Sequence, residues 1–270
     1  MRHLEKVPEM KTRFKRAYQY FDPVFFGLET QDLSKPALFV GNHTLYGVLD
    51  VPFLISEIYQ QHHVIVRSLG DKFHFSIPGW REYLTSHGLV LGTPENCHEL
   101  MKNGESILVF PGGAREVMRR KDEKYNLIWK KRTGFARMAI AHGYDIIPFA
   151  SVGADDCFDI VYDANDMQQN VIFKQLLNIP KFNRFFRNGD VLPPLIRGIG
   201  PFVFPRPQRF YFSFGERIPT MGLQTDQDSL WQLREQVALA IETQINDLKS
   251  YREQDTKQWS TLRKVMTSTR

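Results

Sequence analysis

A histidine and an aspartate lie seven positions apart in the segment GNHTLYGVLDVP, residues 41–52. An imidazole can accept a proton near neutral pH, and a carboxylate at its second nitrogen fixes the tautomer. The sequence has no GxSxG motif that would supply a serine nucleophile, so His43 and Asp50 would more naturally activate a substrate hydroxyl. The spacing by itself favours a simpler interpretation, in which His43 bonds the backbone of a turn and Asp50 caps the next helix.

A second candidate for chemistry is the PGGARE loop, residues 111–116. Gly112 and Gly113 allow main-chain N–H groups to approach a ligand closely, and Arg115 could hold a phosphate or carboxylate with two hydrogen bonds. The nucleotide-binding pattern GxxxxGK[ST] is absent from the sequence. The alternative interpretation is a tight turn that places Arg115 and Glu116 on a solvated face.

Alternating elements would position both segments. Short apolar runs that end at Gly or Pro predict buried strands at 37–42, 63–68, 88–92, 106–111 and 145–152. The segments between them predict helices at 51–61, 78–87, 94–103 and 133–142. This alternation predicts an α/β fold with a mostly parallel central sheet flanked by helices. Because His43 and the PGGARE loop each follow a strand, we expect them to share a cleft at one sheet edge.

Composition limits the class of protein. The 270 residues are 42% hydrophobic and 24% charged, which is typical of one globular domain. The net charge of +5 suits an anionic partner such as a membrane surface or a phosphorylated substrate. Cys97 and Cys157 form no CxxC pair, so neither a disulfide framework nor a zinc site is indicated. Without a run of about 18 apolar residues or a signal-peptide core, we expect a cytoplasmic protein that does not span a membrane.

Three ordered blocks carry a family resemblance: NHTLYGVLDVP after a strand, then VFPGGAR, then IIPFASVG after a further helix. Over residues 37–156 the chain resembles the glycerolipid (lysophospholipid) acyltransferase superfamily, whose members carry NHxxxxDxP and FPEGTRS blocks and a later strand with proline. The FPGGARE variant and the GNH triplet look most like the neutral-lipid branch, which includes plant phytyl ester synthases and diacylglycerol acyltransferase relatives.

The resemblance implies a reaction and assigns residues to it. His43 would be the general base that takes the proton from an acceptor hydroxyl as it attacks the thioester of acyl-CoA or acyl-carrier protein, and Asp50 would orient it. The substrate-binding positions that match the family blocks are Asn42, Pro111, Gly112, Gly113, Arg115 and Pro148. No metal or bound cofactor is implied, because the thioester supplies the free energy of transfer.

Departures from the family blocks bear on the acceptor. Six residues separate His43 from Asp50 where the common block has four, so direct contact requires a loop, which Gly47 permits. The middle block lacks the family's phosphate-binding arginine, and Gly112 stands where many relatives have glutamate. These differences favour an uncharged acceptor such as diacylglycerol, monoacylglycerol or a long-chain alcohol.

Two segments combine aromatic and basic side chains, as do segments that contact a bilayer interface. Residues 8–21 have helical spacing of apolar residues beside cations, although the same stripe fits packing on the domain better. Residues 179–214 interleave phenylalanines with cations, and their QRFYFSFGE end is also strand-like. The predicted membrane contacts are Phe14, Arg16, Phe185, Phe186, Phe202 and Phe204.

We expect the chain to divide into an amphipathic helical segment (1–30), an acyltransferase domain (31–225) with a membrane-facing excursion at 179–214, and a C-terminal helix and tail (226–270). A basic run near the PGGARE loop fits either a solvated face or a site for the phosphates of CoA. This run contains Arg119, Arg120, Lys121, Lys124 and residues 130–132. Asp155 and Asp156 follow the fifth predicted strand and suit helix capping, or else contact with substrate.

The leading hypothesis is a peripheral membrane O-acyltransferase with a neutral lipid acceptor. A lysophospholipid or lysophosphatidate acyltransferase is the alternative within the family. A non-catalytic lipid-binding module is the alternative from another class. No nucleic-acid partner is expected, because the sequence contains no recognised nucleic-acid module.

Overall fold

Nine strands are found within residues 6–268, the part of the chain that this computed structural model describes. Seven of them form one sheet in the order β1-β9-β6-β2-β5-β3-β4, and β7 pairs with β8 separately. The strands are β1 (Val24–Phe26), β2 (Ala37–Gly41), β3 (Val66–Gly70), β4 (Leu89–Leu91), β5 (Ser106–Val109), β6 (Asp145–Val152), β7 (Asp159–Tyr162), β8 (Leu195–Arg197) and β9 (Tyr211–Phe214).

Helices and short 3₁₀ turns join the strands. The helices are α1 (Met10–Arg13), α2 (Lys15–Phe21), α3 (Val51–His62), α4 (Lys72–Phe75), α5 (Trp80–Ser86), α6 (Pro94–Lys102), α7 (Gly113–Val117), α8 (Gly134–His142), α9 (Ala164–Gln169), α10 (Val171–Leu177), α11 (Pro180–Phe185), α12 (Gln227–Asp255) and α13 (Thr261–Thr267). The 3₁₀ turns are Leu45–Gly47, Ala154–Cys157 and Thr256–Gln258.

The centre of the sheet explains why the site forms where it does. In the described sheet every neighbouring pair is parallel except β6 and β9. β2 lies between β6 and β5, with Val40 in register with Pro148 and Val109. All five residues of β2 are buried, as in a parallel strand that is covered on both faces. The carboxyl ends of β6, β2 and β5 therefore open on one edge.

Two apolar clusters cover the faces of the sheet. Alternate residues of β2 belong to different clusters, Leu38 and Val40 to one and Ala37 and Phe39 to the other. The first cluster is completed by α8 and α12, and the second by α2, α3 and β9. The period-2 alternation of side chains along a strand accounts for this division.

The predicted fold class is confirmed, and each of the five predicted strands and four predicted helices corresponds to an element. The strand predicted from residue 63 instead begins at Val66, because His63 ends α3 in the left-handed conformation with φ of 55°. The helix predicted from residue 78 begins at Trp80, after Gly79 at φ of 78°. The strand-like QRFYFSFGE segment forms β9, and the terminal helix extends to Asp255.

The N-terminal segment packs on the domain. Met10 and Phe21 are buried, and Phe14 is half-buried against the second cluster. The segment also supplies β1, which pairs with β9. Phe14, a predicted membrane contact, thus packs partly on the domain, whereas Arg16 is exposed.

Candidate active site

His43 lies two residues beyond β2, at the carboxyl edge of the sheet. Its ring stacks on Phe110, with 3.9 Å between ring centroids and 9° between planes. Phe110 directly follows β5 and precedes the PGGARE loop, so the two loops are in contact. A Cβ placed on Gly47 would overlap Cε1 of His43. Any side chain at position 47 would therefore displace the imidazole.

The loop between β2 and α3, residues 42–50, is called the histidine loop below, and it makes a sharp turn immediately after His43. Tyr46 has φ of 59° and Gly47 has φ of 62° within the 3₁₀ turn Leu45–Gly47. A positive φ is uncommon for a residue other than glycine and costs free energy. The Tyr46 hydroxyl donates a hydrogen bond to the carbonyl of Pro194, which joins the turn to the segment before β8.

Asp50 occupies a different position from the predicted one. Its Oδ1 accepts from the Thr44 hydroxyl at 2.8 Å, and its Oδ2 accepts from the Ser151 hydroxyl at 2.6 Å. Its side chain makes no capping hydrogen bond to α3, although Asp50 occupies the N-cap position. Within the described residues His43 Nδ1 has no hydrogen-bond partner. Direct pairing of His43 with Asp50 is thus not formed here, and Asp50 instead joins the loop to β6.

Three consecutive residues of the histidine loop are each held by a buried charged side chain. Arg119 Nη2 donates to the His43 carbonyl at 2.6 Å, and the Leu45 N–H donates to Asp155 Oδ1 at 2.6 Å. Between them, Thr44 donates to Asp50. Arg119 and Asp155 are each 1% exposed and approach within 3.2 Å of each other. We call Arg119, Asp155 and Asp50 the loop clamp.

The environment of His43 favours the neutral imidazole. Burial lowers its pKa to about 3, and the positive charges of Arg119 and, to a smaller extent, His74 act in the same direction. A neutral imidazole is the form that can accept a proton. Nδ1 is buried without a partner among the described residues, which makes Nε2 the candidate nitrogen for that proton.

A second buried ionisable group, Glu116, lies beside the histidine loop. Burial raises its pKa to about 7, against the opposing effects of Arg119 and of the main-chain N–H groups of Ile128 and His43. Its Oε1 accepts from the Ile128 N–H at 3.2 Å, and its Oε2 has no hydrogen-bond partner in the part of the chain that the structure describes. The sequence interpretation that placed Glu116 on a solvated face is wrong, because the residue is fully buried.

Arg115 is not free to hold a ligand in this structure. Its guanidinium pairs with both carboxylate oxygens of Glu123, and Nε lies 3.3 Å from Asp190. Its Nη1 also donates to the Met118 carbonyl. The carbonyls of Pro111 and Gly112 accept from Arg132 Nη1 at 2.7 and 2.6 Å. The predicted anion site at Arg115 is therefore already filled by carboxylates of the chain.

Asn42 and Pro148, two further predicted substrate contacts, make hydrogen bonds within the sheet. Asn42 is fully buried and exchanges two hydrogen bonds with the backbone of Ser151, at 2.9 and 2.8 Å. Pro148 lies in the middle of β6, and its carbonyl accepts from the Gly215 N–H at 2.8 Å. Both residues fix the sheet beneath the site, and neither lies at its opening.

The basic run after the PGGARE loop is largely engaged with acidic groups. Lys121 pairs with Asp166, and Lys124 with Asp156, which Tyr125 and Arg252 also contact. Lys121 and Lys124, which the sequence offered for CoA phosphates, are therefore already paired with carboxylates, whereas Lys131 is exposed. Asp155 and Asp156 accordingly belong to this network rather than to a substrate site.

Sequence reasoning missed Phe110, Glu116, Arg119 and Ser151 as parts of the site. These residues meet only when separate loops fold together. Their positions in the sequence follow no helical or strand periodicity that could have revealed them. The one available signal was position, since Phe110 and Ser151 stand at the carboxyl ends of predicted strands next to His43.

The aromatic–basic segment, residues 179–214, presents several apolar side chains to solvent. Phe185, Phe202 and Phe204 are 59%, 70% and 58% exposed. Phe186, by contrast, packs against Phe182 in a small cluster with Leu192. In residues 6–268 no helix is both long and apolar enough to cross a membrane.

A family model described as "Acyltransferase" matches residues 14–152, and the chain belongs to this family. The match includes the histidine loop, the PGGARE loop and β6, which are the elements that meet at the carboxyl edge of the sheet.

Two proteins of similar sequence are named for lipid synthesis. Phytyl ester synthase 2, a chloroplastic protein of Arabidopsis thaliana, is 31% identical over 249 residues, which cover 84% of this chain and 34% of the relative. The human DGAT1/2-independent enzyme synthesizing storage lipids is 30% identical over 154 residues, covering 52% of this chain and 47% of the relative. The chain thus spans about a third of the length of the plant relative. It belongs to the acyltransferase family and is similar to enzymes that are named for phytyl ester and storage-lipid synthesis.

A solved structure shares the fold. The crystal structure of PlsC, the 1-acyl-sn-glycerophosphate acyltransferase of Thermotoga maritima, superimposes with a TM-score of 0.58 at 20% identity. The match covers 92% of this chain and 84% of that one. At this level of identity the likeness establishes the architecture alone.

Proposed function

We propose that this protein transfers a fatty acyl group from acyl-CoA or acyl-carrier protein to the hydroxyl of a neutral lipid. His43 is the general base. The observation that carries the proposal is the environment of His43: its ring is fixed by Phe110 and the loop clamp, and its imidazole is kept neutral. A neutral imidazole held in this way has a lone pair for the proton of a substrate hydroxyl, and its low pKa makes it a weak base while the site is empty.

The reaction balances without a metal or a bound cofactor. Nε2 of His43 takes the proton of the acceptor hydroxyl as its oxygen attacks the thioester carbonyl carbon. The tetrahedral intermediate then expels the thiolate, which receives the proton from the imidazolium. An ester and a free thiol leave the site, and the histidine returns to its neutral form.

The ion pairs of Arg115 with Glu123 and Asp190 support the preference for an uncharged acceptor. A phosphorylated acceptor requires a cation that can reach its phosphate, but Glu123 and Asp190 already neutralise this guanidinium. We therefore propose diacylglycerol, monoacylglycerol or a long-chain alcohol as the acceptor. A lysophospholipid acceptor would require Arg115 to exchange its carboxylate partners.

An acyl-transfer assay tests the proposal. Purified wild-type and His43→Ala protein are incubated with radiolabelled acyl-CoA, or with acyl-carrier protein, and a panel of neutral and phosphorylated acceptors. We expect a new neutral ester that the variant fails to make. Faster acylation of lysophosphatidate than of any neutral acceptor would overturn the acceptor assignment, and equal turnover by the variant would overturn the role of His43.

We also propose that the aromatic–basic segment contacts the membrane that holds the acceptor. Its exposed rings suit the headgroup region, and Lys181 and Arg184 are exposed cations beside them. Anionic lipid would attract these cations. The exposed Phe185 also contacts Phe73 of α4, with 6.1 Å between ring centroids, so this surface adjoins the helix that carries His74.

Sedimentation with lipid vesicles tests the membrane contact. Phe202→Ser/Phe204→Ser protein should bind vesicles of neutral and anionic phospholipid more weakly than the wild type. Leu239→Ser is the matched control, because Leu239 on α12 is 65% exposed but lies outside the segment. Equal loss of binding in both variants would indicate general hydrophobic adhesion instead.

A further inference from the structure

Gly112 and Glu116 share one small volume beneath the histidine loop. A Cβ placed on Gly112 would overlap the Oε2 atom of Glu116 and would lie 2.5 Å from its Cβ and Cδ atoms. Gly112 itself has φ of −68° and ψ of −27°, which any residue can adopt. The glycine is therefore required here by the Glu116 side chain and not by the backbone.

The Glu116 carboxylate meets three segments of the site at once. It lies against the Cα of Gly112, accepts from the Ile128 N–H, and is close enough to the His43 N–H and to Arg119 for both to affect its ionisation. Helix α7, which carries Glu116, packs against the 3₁₀ turn Leu45–Gly47. One side chain thus joins the PGGARE loop, the loop before α8 and the histidine loop.

The unpaired Oε2 atom of Glu116 lowers the stability of the folded state. Oε2 is buried without a hydrogen-bond partner, and a buried acceptor left unpaired destabilises the folded state. Buried, perturbed acids that a fold retains despite such a cost are concentrated at functional sites.

We propose that Glu116 is a positioning residue of the acyl-transfer reaction, and that its carboxylate, lodged in the space left by Gly112, holds the His43 main chain against the PGGARE loop. The inference rests on the proposed function for its catalytic consequence. Its geometric part stands independently.

The Glu116→Gln variant tests the role by separating stability from rate. The amide keeps the size of the side chain and one oxygen that can accept from the Ile128 N–H, but its NH₂ group puts a donor in place of the unpaired Oε2. We expect kcat to fall by roughly tenfold to a hundredfold, because a small displacement of a base is enough for such a loss. The KM for the acyl donor should change less than about twofold, since Glu116 does not reach the donor.

The same variant should be more stable than the wild type at alkaline pH. The folded-state pKa of Glu116 is about 7, above its ordinary value, so the wild-type fold loses stability as the pH rises towards and through 7. The titrating or charged groups that act on Glu116 are Arg119 and Asp155. The melting-temperature advantage of Glu116→Gln should therefore be largest near pH 8 and fade towards pH 5. Lower stability of the variant at both pH values, or failure to fold, would overturn the proposal.

A double-mutant cycle tests the shared volume without any assay of activity. Gly112→Ala should be strongly destabilising in the wild-type background and nearly neutral in the Glu116→Ala background. Equal effects in the two backgrounds would mean that the two side chains do not compete for space.

An NMR signal distinguishes positioning from a purely structural role. The His43 Cε1 resonance of protein labelled with ¹³C-histidine, assigned by its absence in His43→Ala, should move in Glu116→Gln. It should stay in place in Glu82→Gln, a matched change at an exposed glutamate on α5. A stationary signal, or unchanged kcat on an acceptor that the wild type acylates, would contradict the proposal. A wild type that transfers no acyl group would instead refute the proposed function. The double-mutant cycle of Gly112 and Glu116 would still test whether the two side chains share one volume.

Discussion

At the scale of single residues, the chemistry of His43 is set by what surrounds it rather than by its spacing from Asp50. Phe110 covers one face of the ring, and Arg119 holds the main chain and opposes protonation. Asp50 acts on the same loop through the hydroxyls of Thr44 and Ser151. The six residues between His43 and Asp50, two more than in the common block, therefore form a loop that the Asp50 carboxylate anchors.

The low pKa of His43 predicts a loss of stability in acid. The folded protein binds a proton at this ring only near pH 3, whereas the unfolded chain binds one below about 6.5. Folding stability therefore falls as the pH drops from 6.5 towards 3. Urea unfolding of His43→Gln between about pH 7 and about pH 5 should show a smaller loss than the wild type. His63→Gln, which changes an exposed histidine directly after α3, should depart less from the wild type than His43→Gln does.

At the scale of elements, the regular parts of the fold were predictable and the irregular parts were not. β2, β5 and β6 are continuous apolar runs that end at Gly or Pro, so local pattern suffices for them. β1 and β8 are three-residue strands whose existence depends on a partner far along the chain. The site divides in the same way: His43 follows a predictable strand, whereas Glu116 and Arg119 acquire their roles only when two loops fold together.

The turn Leu45–Gly47 yields a prediction with an internal control. Gly47→Ala introduces backbone strain at φ of 62° and also pushes a methyl group into the His43 ring. Gly222→Ala introduces strain at φ of 85°, but nothing lies within 4 Å of its Cβ. Both variants should lose about 1 kcal/mol or more in unfolding free energy. Only Gly47→Ala should lose acyl transfer, and equal activity in the two would show that the ring tolerates displacement.

At the scale of the whole molecule, ion pairs join distant parts of the chain to the site edge. Arg252 near the end of α12 pairs with Asp156 and donates to Gln208 at 2.9 Å. Tyr125 also donates to Asp156 and accepts from the Gly153 N–H at 3.0 Å. Helix α12 therefore supports the segment after β6, and Asp155 of that segment accepts a hydrogen bond from the histidine loop.

Removal of Arg252 should measure that support. Arg252→Gln leaves a largely buried Asp156 with one cation fewer, and we expect a loss of about 1–3 kcal/mol in unfolding free energy. Arg13→Gln breaks an ion pair whose partners are half-exposed, and it should cost less than about 1 kcal/mol. Chemical denaturation of both variants checks the difference. Similar losses would mean that the network near Asp156 behaves as an ordinary surface.

The bond from Tyr46 to Pro194 fastens the histidine turn to the chain that leads into the exposed aromatic rings. A protein so built would work as an interfacial catalyst. Its velocity would follow the mole fraction of acceptor in the lipid surface, and diluting that surface with inert lipid would slow turnover even at constant bulk concentration. Loosening the connection with Tyr46→Phe should weaken the response to the surface while the base itself remains in place.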